Sequence, residues 1–208
     1  MIKKNPLAPT GQLWHNHKLK YSYLAIPKSG SNTLRKMSGC MNGPTLKRHP
    51  NYIIFSALRE PLERYVSGFI EVMIPATDYP KGRYHYNLGL NKKMKNYLDK
   101  IQKDKNIINV FTTFTDYIVE NGFFEVHTEP QNYYLIEGIT LYHLNNLEIL
   151  IKDLKLNKIV YENKTQSDNK KEEIINFLST NSEYKQKIIS LFEKDIKLYN
   201  SFNDKINI

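Results

Sequence analysis

The stretch Pro27-Lys28-Ser29-Gly30-Ser31-Asn32-Thr33 closes one apolar run and opens helix-forming sequence. A strand-to-helix loop of this composition can aim several backbone N–H groups at one point. Gly30 allows close backbone approach, Ser31 or Asn32 can cap the helix, the helix N-terminus adds partial positive charge and Lys28 a full one. That chemistry is a cradle for phosphate or sulfate. The order G-x-x-x-x-G-K-[ST] of a Walker A loop is absent, because the lysine precedes the glycine. A plain strand-to-helix turn with an exposed lysine has the same residue types, so the loop needs a second feature to mean more. Arg59 closes the next apolar run, and Ser67 follows eight residues later, about two helical turns on. Glu63, Ser67 and Glu71 recur every fourth residue, which puts Ser67 on the polar side of its helix. Arg59 and Ser67 can then reach one anion, against the alternative of a solvated face with Arg59 paired to Glu60 or Glu63. Two anion sites after successive strands favour the functional reading.

The elements that must position these residues have clear periods. Residues 21–26 and 51–58 are rich in aromatic and β-branched side chains and read as buried strands, and residues 138–144 as a third. After the second, Leu62, Tyr65, Val66, Phe69, Ile70 and Met73 share one helical face, with Pro61 suited to the first turn. Apolar residues at 107, 110, 111, 114, 117 and 118 predict another helix, residues 145–156 a further one, and residues 161–173 a polar loop leading into two C-terminal helices. Residues 75–96 carry Pro, Gly and several tyrosines without a period and read as an irregular excursion of the kind that holds substrate. Alternating strand, loop and helix predict an α/β fold with ligands at the C-terminal ends of its strands.

At 208 residues and 40% hydrophobic, the chain can bury one core, so a single domain is expected over 1–208, with 1–20 as an N-terminal extension and 21–202 as the core. The formal charge of +9 favours anionic partners without choosing among them. Cys40 is the only cysteine, which excludes an intrachain disulfide and a cysteine-based zinc cluster. His15 and His17 are too few for a metal site and read as solvated, so no metal is expected. The opening residues lack a signal-peptide core, and no apolar stretch approaches the roughly 20 residues that span a bilayer. A soluble, cytoplasmic protein without stable membrane insertion is expected.

The segments AIPKSGSNTLRKM and FSALREPLERYVSGF resemble the two cofactor signatures of the PAPS-dependent sulfotransferases, specifically the carbohydrate (heparan and chondroitin type) family. The resemblance runs from about residue 21 to residue 202. It implies a P-loop-like three-layer sandwich with a central parallel sheet flanked by helices. It further implies that Lys28, Ser29, Gly30, Ser31, Asn32 and Thr33 bind the 5′-phosphosulfate of 3′-phosphoadenosine 5′-phosphosulfate (PAPS). Arg59 and Ser67 would bind the 3′-phosphate, with adenosine 3′,5′-bisphosphate as the product. Asn32 stands where many members have a hydroxyl residue, although an amide can donate to the same oxygen. A third segment, FEVHTEPQNYYL, resembles the family's H-x-x-P-Q stretch, where a histidine or glutamate takes the proton of the acceptor hydroxyl. His127 fits that role, since imidazole exchanges protons near neutral pH; Glu125 and Glu129 remain alternatives.

The mechanism so implied is in-line sulfuryl transfer without metal, Lys28 stabilising the leaving phosphate and His127 accepting the proton. The acceptor is a hydroxyl, of a carbohydrate in that family. A chain this short, with one cysteine, is expected to be without the anchor and disulfides of the Golgi members, so their particular glycans and location are not expected to carry over. Tyr79, Tyr84 and Tyr86, with Lys81 and Arg83 between them, could stack on sugar rings or hold an acidic chain, or simply pack. A P-loop nucleotide kinase or phosphotransferase is an alternative that lacks its lysine and Mg²⁺ ligands. A basic nucleic-acid-binding module is another, but the basic residues form no stripe or known motif, so no nucleic-acid partner is expected. A family member that binds cofactor without turnover is the third.

Overall fold

Short strands alternate with amphipathic helices along the computed structural model of the chain, which describes residues 12–75, 80–87, 90, 92–156 and 168–208. In chain order these are β1 (Leu13–Asn16), β2 (Tyr21–Leu24), α1 (Ser31–Ser38), β3 (Asn42–Thr45), β4 (Ile53–Leu58), α2 (Pro61–Met73), α3 (Lys92–Gln102) and α4 (Ile107–Asn121). Then follow β5 (Ile139–His143), α5 (Leu147–Asp153), α6 (Asp168–Thr180), α7 (Ser182–Leu191), α8 (Glu193–Tyr199) and β6 (Lys205–Asn207). Single 3₁₀ turns occupy Arg83–Tyr86 and Gln131–Tyr133. The chain divides into a sheet unit, drawn from 12–61, 131–156 and 194–208, and a helical unit, drawn from 62–130 and 168–193.

The sheet unit is built on six strands in the order β3-β1-β2-β4-β5-β6. Its three central strands are parallel, with Tyr23 opposite Phe55 and Phe55 opposite Thr140. The expected central parallel sheet is mixed as a whole, because β1, β3 and β6 pair antiparallel at the two edges. β1 lies within the segment expected to be an extension. Only four residues, His17–Lys20, connect it to β2, and a connection that short permits an antiparallel pair but not a parallel crossover. Alternation along the strands gives each face its own core. Tyr23, Phe55, Ala57 and Tyr142 pack with Leu34 of α1 and Leu147 and Leu150 of α5. On the other face Leu24, Leu58, Ile139 and Leu141 pack with Tyr134 and with Leu198 and Tyr199 of α8. Helices therefore flank the sheet of a mixed α/β fold.

In the helical unit the expected apolar face of α2 is buried at Tyr65, Val66, Phe69, Ile70 and Met73. Its rings meet those of α4: Phe69 lies 5.1 Å from Phe111 and 5.3 Å from Phe114, both edge-on. Such pairs add to the area term that dominates core stability. α4 starts where Asn106 accepts from the Ile108 and Asn109 amides, and this cap overrides the β-branched content of the segment. Three C-terminal helices replace the expected two, since Asn181 accepts from the Tyr184 amide and starts α7 anew. Residues 75–96 are only partly irregular, as α3 begins at Lys92.

Candidate active site

β2 stops at Leu24, two residues before its expected end, and Ala25–Gly30 carry the chain into α1. Lys28 and Gly30 both take left-handed backbone, φ 63° and 74°. For lysine that conformation costs on the order of 1 kcal/mol or more, a strain that clusters at ligand-binding loops. Glycine is favoured at 30 by its φ, and a Cβ there would also fall 2.6 Å from Leu144 Cδ1, so that side chain would have to shift. Gly30 is also the N-cap of α1, so neither Ser31 nor Asn32 caps it as expected. Ser31 Oγ instead donates to the Ile26 carbonyl and accepts from Tyr23 Oη, and the side-chain Oδ1 of Asn32 accepts from Arg35. Burial pushes the Tyr23 phenol up to about 12, which keeps it a donor. A helix N-terminus without a side-chain cap directs its first-turn amides and partial charge outward. Ser29 is fully buried, and its hydroxyl donates to Gln131 Oε1 at 2.7 Å.

Arg59 follows directly on β4, the parallel neighbour of β2, so both loops leave the same end of the sheet. Gln131 joins them: its Oε1 also accepts from the Arg59 amide at 2.9 Å, while its Nε2 donates to the Arg59 carbonyl at 2.8 Å. Gln131 itself is 1% exposed. Asp195 of α8, equally buried, accepts from the Gln131 and Asn132 amides at 2.6 and 2.8 Å.

In the helical unit Ser67 is half-buried on α2, and Gly68 beside it abuts His127. A Cβ at Gly68 would stand 2.1 Å from the His127 carbonyl oxygen. Gly68→Ala therefore forces backbone apart and is expected to lose about 1–3 kcal/mol, despite the better helix propensity of alanine. Thermal denaturation checks this, and an unchanged melting temperature would refute it. The fully buried Arg64 donates to the Glu129 carbonyl in the same region.

Glu125 organises His127. Its Oε2 accepts from the His127 backbone N–H at 2.6 Å and meets ring Nδ1 at 2.7 Å. Its Oε1 lies 3.6 Å from Arg83 Nε, and Arg83 donates onward to Glu71 at 3.0 Å. Burial works to raise the Glu125 pKa, but the hydrogen bonds and charge of His127, with Arg83 adding, outweigh it and hold the carboxyl below its ordinary value. An ionised carboxylate can only accept, so Nδ1 carries a hydrogen, and Nε2 is the position that has a lone pair whenever the ring is neutral. That is the arrangement of an oriented base. The ring is 14% exposed. Glu129, the other carboxylate considered, is fully buried.

The profile of the sulfotransferase family matches residues 11–203. The chain belongs to the sulfotransferase family. No curated protein and no solved structure matches it. Sulfuryl transfer to a hydroxyl-bearing acceptor follows from that membership, and it displaces the kinase and nucleic-acid readings. For this sulfotransferase one open alternative is decided, at Tyr84, and one expectation needs correction, at His15. Tyr84 is fully buried, its hydroxyl donating to Asp99 and Gln102, so it packs and does not stack on sugars. Arg83 beside it serves Glu71 and Glu125, while Tyr79 and the Tyr86 side chain lie outside the described residues. His15 is buried, not solvated: its Nδ1 meets Ser22 Oγ at 2.9 Å, and its ring sits 4.8 Å from that of His49. Burial and the neighbouring His49 and His17 lower its pKa. Among the described residues no group of three His, Cys, Asp or Glu is arranged to hold a metal, and no helix is long and apolar enough to cross a membrane.

Sequence reasoning missed Gln131 and Asp195 as site residues. The Pro130-Gln131 pair was the available signal for Gln131. Asp195 offered none, because its partners are backbone amides 63 and 64 residues away.

Proposed function

We propose that the chain, acting as one sulfotransferase domain, moves a sulfuryl group from 3′-phosphoadenosine 5′-phosphosulfate to a hydroxyl of an acceptor, a carbohydrate by resemblance to the family. The observation that carries this is the Lys28–Gly30 turn, which leads into a helix start without a side-chain cap, beside Arg59 at the same end of the sheet. The donor carries two anionic groups on one ribose, and two cationic loops on neighbouring parallel strands suit it.

In this reading the donor supplies the sulfuryl group. Lys28 and the N-terminal amides of α1 stabilise the charge that develops on the leaving 5′-phosphate. Ser29 and Gly30 shape the turn, and Ser31, Asn32 and Thr33 form the helix start. Arg59 and Ser67 hold the 3′-phosphate. His127 Nε2 accepts the hydroxyl proton as the new oxygen–sulfur bond forms and the sulfur–oxygen bond to phosphate breaks, leaving adenosine 3′,5′-bisphosphate. Charge on the transferred oxygens needs positioning more than covalent help, as in phosphoryl transfer.

Calorimetric titration with adenosine 3′,5′-bisphosphate, AMP, and ATP with Mg²⁺ tests the donor. The bisphosphate is expected to bind wild type at least about tenfold more tightly than AMP, and Arg59→Ala to lose that margin, as removal of a charge-assisted contact does. A preference for ATP with Mg²⁺, or no gain from the 3′-phosphate, would overturn the reading.

A further inference from the structure

The amide of Gln131 is unusual in what it holds. Three of its hydrogen-bonding positions go to two different loops: Oε1 accepts from Ser29 Oγ and from the Arg59 amide, and Nε2 donates to the Arg59 carbonyl. The Arg59 backbone presents one donor and one acceptor to it, so the amide fits in one orientation only. Its own backbone is pinned in turn by the buried Asp195 carboxylate, which accepts from residues 131 and 132 together. A single buried side chain thus fixes the distance from the Ser29 turn to the start of the Arg59 loop. Both of its partners come from sequence far away, 102 and 72 residues respectively.

We infer that Gln131, braced by Asp195, is the positioning residue that couples the two anion-binding loops, so that the 5′ and 3′ groups of one nucleotide are recognised as a pair. This rests on the proposed donor. Each loop alone can attract an anion. Only loops held at a fixed spacing let a second anionic group on the same ribose bind without further ordering, and a displacement of about 1 Å suffices to lose much of that advantage. Charge at Arg59 is then necessary for 3′-phosphate recognition but does not suffice without the bridge.

The test is titration of wild type, Gln131→Ala and Gln131→Glu with adenosine, AMP, adenosine 3′-monophosphate and adenosine 3′,5′-bisphosphate. In wild type each phosphate is expected to add more affinity in the presence of the other. In Gln131→Ala that mutual gain is expected to fall by at least about tenfold, although Lys28 and Arg59 are intact. Gln131→Glu separates positioning from loss of fold. The introduced carboxyl is isosteric, and its neutral form can still donate to the Arg59 carbonyl, whereas its ionised form cannot. Burial against a carbonyl raises its pKa, so the donor returns as pH falls. The bisphosphate affinity of Gln131→Glu, taken as a ratio to wild type, should recover between about pH 8 and about pH 5.5. A pH-independent ratio together with an undiminished mutual gain in Gln131→Ala overturns this inference alone. A wild type with no 3′-phosphate gain removes the donor reading, and this inference with it.

Discussion

Lys28→Ala is expected to lower the rate of sulfuryl transfer by about 10²–10³-fold, since removal of one group facing developing charge costs about 3–4 kcal/mol. The backbone makes the experiment sharper than a single substitution. Lys28 sits at φ 63°, where every residue with a Cβ carries strain. Alanine keeps that strain and loses the charge; glycine loses both. Lys28→Gly is therefore expected to be more stable than Lys28→Ala by about 1 kcal/mol, yet equally slow. A strained lysine kept only as a turn residue would give the opposite pattern, with glycine improving stability at no cost in rate. Lys28→Arg should recover part of the rate, because the charge returns on a planar fork that does not reproduce a compact ammonium. The rate is measured on whichever acceptor first turns over, with melting temperature recorded in parallel. Wild-type activity in Lys28→Ala would remove the loop from the mechanism.

What could be read from the residues and what could not divide along a physical line. α2 and α4 were legible because one face of each is filled by its own sequence, Tyr65 to Met73 and Ile107 to Ile118, at helical spacing. The turn at Lys28–Gly30 was legible for the same reason: lysine, glycine and hydroxyl residues stand next to one another. β1 and β3 were not, since Leu-Trp-His-Asn becomes a strand by pairing with β2 and β3, and Asn-Gly-Pro-Thr by pairing with β1. Tyr84 was left open between stacking and packing because its neighbours Lys81 and Arg83 look like surface, while the partners that its buried hydroxyl meets, Asp99 and Gln102, lie on another helix. The bridge at Gln131 is the extreme case. A buried amide reads as an ordinary polar residue until the two loops that it joins are brought together by the parallel pairing of β2 and β4.

His127→Ala is expected to cost about 10²–10⁴-fold in rate, the usual range for a positioned proton acceptor, with a much smaller change in nucleotide affinity. Glu125 makes the assignment testable in detail. Its Oε2 holds both the backbone N–H and Nδ1 of residue 127, which fixes the ring and directs the lone pair to Nε2. Glu125→Gln leaves the shape and offers either an oxygen or an N–H to Nδ1. When the amide turns its N–H inward, at the loss of the bond from the backbone N–H of residue 127, Nδ1 becomes the acceptor and the proton moves to Nε2, the unproductive tautomer. The variant is expected to be slower by at least about tenfold but to keep the acid limb of the pH–rate profile, because the imidazole is still present. In His127→Ala that limb should vanish along with the rate. If Glu125 were itself the base, Glu125→Gln would fall as far as His127→Ala and would lose the limb. A carboxylate committed to two hydrogen bonds on His127 and an ion pair with Arg83 is poorly placed for that work. The depth of Glu125→Gln relative to His127→Ala therefore decides which of the two takes the proton.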